Sequence, residues 1–390
     1  MDLLRWLVPG IHLGSLVSEG WNAYRGASQW NEVPRVEPSL RIALGVMLDR
    51  SFTAATSILT GVPGPEIVRR FNDEAAAMRD FLAARGWLED PAGYHRSPAA
   101  VDAWTTADER TWLGPSRRRY QHVAWASGFE PHPEEPGRER WLARERNRML
   151  HAYVLEHAGG PRPWLVCVHG FGMGTPLVNF GGFAAKRLHD DLGLNLVFPC
   201  LPLHGPRGGG RFSGSELIEP DYLNLIHAFA QAAWDVRRTL TWVRSRQPKG
   251  IGLYGISLGG YVAALVSCFE AELDCVIGVI PMVDLISAAR DNEPWIFRRY
   301  EQEFEMDWEA MRAITHVVSP LALPPRVPRE RCFICAGTAD RVVQPNHARA
   351  LWRHWDRPEI HWFSGSHVLG MLDPSVPAFV ERSMRSVGLV

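Results

Sequence analysis

Residues 252–265 read GLYGISLGGYVAAL, one serine with a glycine two positions away on either side. An apolar run leads into Ser257, and Val262, Leu265, Val266 and Phe269 follow at three- and four-residue steps. The first pattern predicts a buried strand and the second a helix, so Ser257 falls where one turns into the other. Residues two places either side of so sharp a turn crowd it, which favours glycine there and leaves the serine Oγ out at the carboxyl edge of a sheet. A tight turn with no reactive serine has the same spelling. A serine hydroxyl is a poor nucleophile near neutral pH, so the chemical reading requires a base and an orienting acid elsewhere in the chain.

Working outward, short apolar runs alternate with helical patterns from about residue 160, the signature of β-α units building a parallel sheet. WLVCVHG (164–170), LNLVFPC (194–200), GIGLYG (250–255), DCVIGVIP (274–281), CFICAG (332–337) and EIHWF (359–363) are the predicted strands. Their near-continuous Val, Ile, Leu and Cys fit strands covered on both faces. Residues 221–246 carry an amphipathic helix after Pro220, and YQHVAWASGF with NRMLHAYVLEH predicts an antiparallel pair at the sheet edge. The first 117 residues read as a helical region. Val68, Phe71, Ala75, Met78 and Leu82 form a stripe opening at Pro65 and closing near Gly86, and Thr106 with Glu109 spells a capping box. Residues 286–330 are too long for a simple β-α connection and hold Trp295, Phe297, Tyr300, Phe304 and Trp308. These aromatics suit a lid over an apolar pocket or the packing face of extra helices.

The base and acid are where the chemistry needs them. CAGTADRVVQP puts Asp340 just after the next-to-last predicted strand, and HWFSGSHV puts His367 just after the last. The chain order Ser, Asp, His, with GISLGG as elbow, GTADRVV as acid loop and GSH as histidine loop, resembles the α/β-hydrolase fold over residues 118–390. The resemblance implies a mostly parallel α/β sheet with helices on both faces, plus the helical N-terminal region 1–117 and a lid insertion at 286–330. It implies a Ser257–His367–Asp340 triad, with Asp284 as the alternative acid. It also implies an oxyanion hole: the N–H of Leu258, following the nucleophile, and a second donor in HGFGMG, nominated as Phe171 with Gly172 as substitute. His169 braces that loop. His361 reads as a structural histidine of the last strand, and His347 and His354 as surface groups on a helix.

Composition narrows the function classes. With 46% hydrophobic and 22% charged residues and a net charge of -1, the chain reads as globular with no electrostatic pull toward nucleic acid. PLHGPRGGGRFSG (202–214) lacks the ending of a phosphate-binding loop. It reads as a wall of the site entrance, Arg207 and Arg211 being surface arginines or contacts to an anionic substrate group. The six cysteines sit in or beside apolar segments, and the Cys332–Cys335 spacing lies within a strand, so no metal or cofactor is expected. The apolar start, MDLLRWLVPGIHLGSLV, is broken by Arg5 and Pro9 and lacks a cleavage site, and no run is long enough to span a bilayer. A cytoplasmic enzyme acting on a small, partly apolar molecule is expected, with the N-terminal helices as candidates for a homo-oligomer contact. Carboxylic ester hydrolysis leads. The alternatives are a carbon–carbon bond hydrolase or peptidase with the same triad, or a non-catalytic binding relative.

Overall fold

The computed structural model describes residues 30–390 apart from 37, 61–63, 114–115 and 294, and at 58, 60, 113, 116, 295 and 296 it describes the backbone alone. The apolar start at 1–17 and the Trp295 side chain therefore lie outside the described residues. In chain order the helices are α1 (Leu40–Thr60), α2 (Pro65–Ala83), α3 (Arg138–Leu142), α4 (Pro176–Gly182), α5 (Tyr222–Ser245), α6 (Leu258–Ser267), α7 (Leu285–Asp291), α8 (Trp295–Glu303), α9 (Trp308–His316), α10 (Pro345–His354), α11 (His367–Gly370) and α12 (Ser375–Ser386). The strands are β1 (Thr105–Leu113), β2 (Ser116–Ala126), β3 (Met149–Leu155), β4 (Trp164–Val168), β5 (Asn195–Pro199), β6 (Ile251–Ile256), β7 (Cys275–Val279), β8 (Cys332–Gly337) and β9 (Glu359–Phe363).

These strands form one sheet in the order β1-β2-β3-β5-β4-β6-β7-β8-β9. The pairs from β5 to β9 are parallel, and β1, β2 and β3 join antiparallel. Every residue of β4 through β8 is buried, because helices cover both faces. On one face α2, α5, α6, α9 and α10 pack with Val166, Leu253 and Ile334. On the other, α4 and α12 pack with Cys167, Ile277 and Phe333. This is the mostly parallel α/β sheet that the sequence predicts.

Period 2 explains the cysteine pair as well. Cys332 joins the first cluster and Cys335 the second, so the C-x-x-C spacing sends its thiols to opposite faces of β8. All six cysteines are buried and free.

The edge departs from expectation. Thr106 and Glu109 do not cap a helix. They lie in β1, which pairs with β2 outside the predicted antiparallel pair, with Glu109 facing Tyr120 across the ladder. The Glu109 carboxylate accepts hydrogen bonds from the Tyr120 hydroxyl and from His122 Nδ1, a cross-strand arrangement that no capping box offers. The predicted stripe on α2 is buried at all five positions, and Gly86, with φ of +72°, ends that segment. In α1, Ile42 and Val46 pack with Val36 and with Ala339, a neighbour of Asp340.

The insertion after β7 is α7, α8 and α9. Phe297 is buried, while Tyr300, Phe304 and Trp308 pack partly buried against the main core. Asn72 of α2 anchors it, donating to the Glu305 carbonyl and accepting from the Asp307 N–H.

Candidate active site

The β6-to-α6 turn is steric in origin. Ser257 has φ of 55° and ψ of -113°, a left-handed conformation that a non-glycine residue adopts only under strain. A Cβ on Gly255 would lie 2.1 Å from the Gly259 carbonyl oxygen, and one on Gly259 would lie 1.8 Å from that of Val168. Both contacts are with backbone, so neither glycine admits a side chain. The Ser257 N–H donates to the Val279 carbonyl (2.8 Å), pinning the turn to β7.

Three loop ends converge there. His367 Nε2 lies 3.0 Å from Ser257 Oγ, and its Nδ1 lies 2.6 Å from Asp340 Oδ2. The buried Asp340 is fixed from behind, Oδ1 accepting from the N–H groups of Val342 (3.0 Å) and Val343 (2.8 Å). Burial works against the imidazolium of His367. The Asp340 charge and hydrogen bond, with the charge of Asp49, outweigh it and hold the pKa above the ordinary 6.5. Asp284 stands apart: it is exposed, and its side chain accepts from the Ser287 N–H at the start of α7.

Leu258 and Phe171 line the same hollow as Ser257 and His367. Leu258 is the first residue of α6, where an N–H has no intrahelical acceptor. Gly172, the next residue after Phe171, has φ of +78° and is not on the hollow's wall. His169 is fully buried, its Nε2 accepting from the Leu201 N–H (3.0 Å) and its Nδ1 donating to the Gly170 carbonyl (2.9 Å). It staples the loop after β4 to the end of β5.

The hollow has a volume of about 740 Å³. Ser257 and His367 sit in it among Phe52 of α1, Phe71 of α2, Phe229 of α5, Met282 and Phe297 of α8. The stretch 217–222 lines it, whereas 202–214 stands behind: Phe212 meets Phe171 edge-on at 6.0 Å, and the exposed Arg211 donates to the Leu59 carbonyl.

Some polar residues lie elsewhere than the sequence predicts. Arg207 is no surface arginine: it is buried, donates to the carbonyls of Cys200 and Asn147, and pairs with Asp235 of α5 at 2.8 Å. The pairing is what makes its burial tolerable. His347 is likewise buried and accepts from the Val283 N–H (3.3 Å), and the half-buried His354 contacts the Leu323 carbonyl through Nε2 (2.8 Å). Both are held by backbone groups, which is why they face inward. His361 contacts Ser375 Oγ through Nε2 at 3.0 Å, as suits a structural residue. Asp49 of α1, to which nothing in the sequence drew attention, is fully buried beside His367.

Among the described residues no cluster of three or more His, Cys, Asp or Glu is placed to hold a metal ion, and no helix is long and apolar enough to cross a membrane. The chain is 37% identical to uncharacterized proteins from two strains of Mycobacterium tuberculosis, CDC 1551 / Oshkosh and H37Rv, over 98% of this chain and 91% of each of theirs. Among solved structures it is similar to an acetyl xylan esterase from Paenibacillus sp. R4, with a TM-score of 0.49 at 15% identity, covering 77% of this chain and 98% of that one. The family model described as alpha/beta hydrolase family matches residues 165–390, which contain the elbow, the acid loop and the histidine loop. The chain belongs to the α/β-hydrolase family.

Proposed function

We propose that the protein is a serine hydrolase of carboxylic esters with an apolar acyl or alcohol part, working through an acyl-enzyme. His367 Nε2 takes the Ser257 proton as Oγ attacks the carbonyl carbon, and Asp340 keeps the other ring proton on Nδ1. The N–H groups of Leu258 and Phe171 donate to the oxyanion. The imidazolium then protonates the leaving alkoxide, and water, activated by the same histidine, releases the acid. The observation that carries this reading is the hydrogen-bonded chain Ser257–His367–Asp340 opening into the 740 Å³ hollow.

The apolar preference rests on the walls. Of the carboxyls that line the hollow, Asp221 is paired with Arg140 and Glu219 with Arg144, and Glu293 has its pKa pushed up to about 9 by burial and by its neighbour Glu301, which favours its neutral form. Between the ordinary value of 4.5 and 9 the folded protein therefore holds a proton that the unfolded chain releases, and this group's contribution to stability falls as pH rises through that window. Glu293→Gln removes the effect. Its melting temperature is expected above that of the parent at pH 8 and level with it at pH 4.5, as thermal denaturation at the two pH values will show.

The deciding assay is a series of p-nitrophenyl esters of increasing acyl length beside aminoacyl nitroanilides and a 1,3-diketone. At about 0.8 kcal/mol per buried methylene, kcat/KM should climb about fourfold per carbon from acetate until the hollow is full. A flat series, or turnover of nitroanilides alone, overturns the reading. The diketone tests a second reading, carbon–carbon bond hydrolysis, which the closure of the hollow by α1 favours. Six free, buried cysteines suit a reducing compartment, and we assign the enzyme to the cytoplasm on that basis.

A further inference from the structure

Helix α1 does not merely wall the hollow. Asp49 lies one turn before the lining residues Phe52 and Thr53, and its side chain is directed at the catalytic loops. Its Oδ2 accepts from the N–H groups of Arg341 (2.9 Å) and His367 (2.8 Å), and its Oδ1 from the N–H of Val368 (2.9 Å). Arg341 directly follows Asp340. One carboxylate thus joins the loop that carries the acid to the loop that carries the base.

The neighbouring surface of α1 is shaped for the same contact. Gly45 stands one turn earlier, and a Cβ there would lie 2.5 Å from Ser366 Oγ, so only a bare backbone lets the helix come this close to the histidine loop. Ile42 and Val46 seat the helix on Ala339, ahead of Asp340. An isolated carboxylate at 0% exposure is costly, and here three backbone donors and a neighbouring imidazole compensate it. The two charged groups facing His367 are Asp340 from the loop after β8 and Asp49 from α1.

Resting on the hydrolase reading above, we infer that Asp49 is a positioning residue of the active site: its carboxylate fixes the Asp340 and His367 loops at their working separation and supports the imidazolium formed during turnover. Asp49 touches no substrate and acts through His367. For Asp49 itself, burial and the Asp340 charge raise the pKa, while His367 and the backbone donors of Val368 and His367 oppose the rise. For His367, loss of the Asp49 charge removes one of the influences that raise its pKa.

Asp49→Asn in the full chain is the test. The amide has one acceptor oxygen for three donors, so the loops lose a tie and the imidazole loses a charge. Ester kcat is expected to fall about 10- to 100-fold with KM within about twofold. The acid limb of kcat/KM, and the His367 titration followed by NMR, should both move down by about one pH unit. Asp49→Glu, which keeps the charge, should restore the limb. Arg41→Ala, which removes the exposed pair between the same helix and Asp373, should leave it in place. A folded Asp49→Asn protein whose limb and imidazole titrate as in the parent overturns the inference, even if it melts earlier. Should that variant not fold, the parent decides: the amide protons of Arg341, His367 and Val368 must resist exchange and shift together in one titration step, and rapid exchange overturns the proposal. Failure of the hydrolase reading looks different, because a fluorophosphonate would then leave Ser257 of the parent unlabelled while the imidazole titration stays readable.

Discussion

Ser257→Ala is expected to abolish labelling by a fluorophosphonate and to lower ester kcat about a million-fold, with the fold intact. The hydroxyl is the only covalent participant in the proposed route, and its removal leaves the hollow and the two N–H donors without a nucleophile. His367→Ala should cost about as much, since serine and imidazole act as a unit. Asp340→Asn should cost about 10⁴-fold, because an amide cannot hold the imidazole in the required tautomer. Asp284→Asn is the discriminating control. That side chain accepts from the Ser287 N–H and is not among the groups acting on His367, and asparagine caps a helix about as well as aspartate, so the change should leave both stability and turnover nearly as in the parent. If Asp284→Asn proves the damaging carboxylate change, the acid has been misassigned. In the parent, kcat/KM should fall as pH drops through the His367 pKa, above the ordinary 6.5, because the base must be neutral to take the serine proton. A limb that stays in place when Asp340 is changed would count against its role.

Among the described glycines, Gly259→Ala should be the most damaging addition of a single methyl. The new carbon would lie 1.8 Å from the Val168 carbonyl oxygen and 2.5 Å from its carbon, both in the central strand β4. Neither side can yield without unpairing β4 from β6, so a loss beyond about 4 kcal/mol is expected, in the range where a protein often fails to accumulate. Gly255→Ala should behave alike. Gly181→Ala in α4 is the reference: nothing lies within 4 Å of its added Cβ, and it should be neutral or stabilise by about 0.5 kcal/mol. Thermal unfolding of the three variants will show whether the elbow glycines answer to geometry or only to chain entropy. Comparable melting temperatures would exclude the steric account.

What was legible in the sequence was local. The strands announced themselves because burial on both faces demands unbroken apolar runs, as in WLVCV and CFICAG. The elbow was legible because its glycines lie within two residues of Ser257. Three motifs in chain order point to Asp340 and His367, which the fold places in one hydrogen-bonded chain with Ser257 although 83 and 110 residues separate them from it. What escaped notice depends on partners far away. TTADERTWL is polar enough to pass for a helix start until β2 lies beside it. Arg207 reads as solvated until Asp235 appears on α5, and His347 reads as surface until the chain after β7 folds over it. Asp49 is the extreme case, one acid on an otherwise largely apolar helix, whose donors lie 292 to 319 residues onward.

The tie made by Asp49 bears on portability. A protein engineer who trims this chain to residues 118–390, where the recognisable motifs lie, would keep Ser257, Asp340 and His367. The trimmed product would lose the anchor beneath His367 and, with Phe52 and Phe71, a side of the hollow. A graft of the Asp340 and His367 loops onto another scaffold would need its own carboxylate at that spot. The smallest transferable unit is therefore the sheet together with α1, which packs on the histidine loop, and α2 beside it.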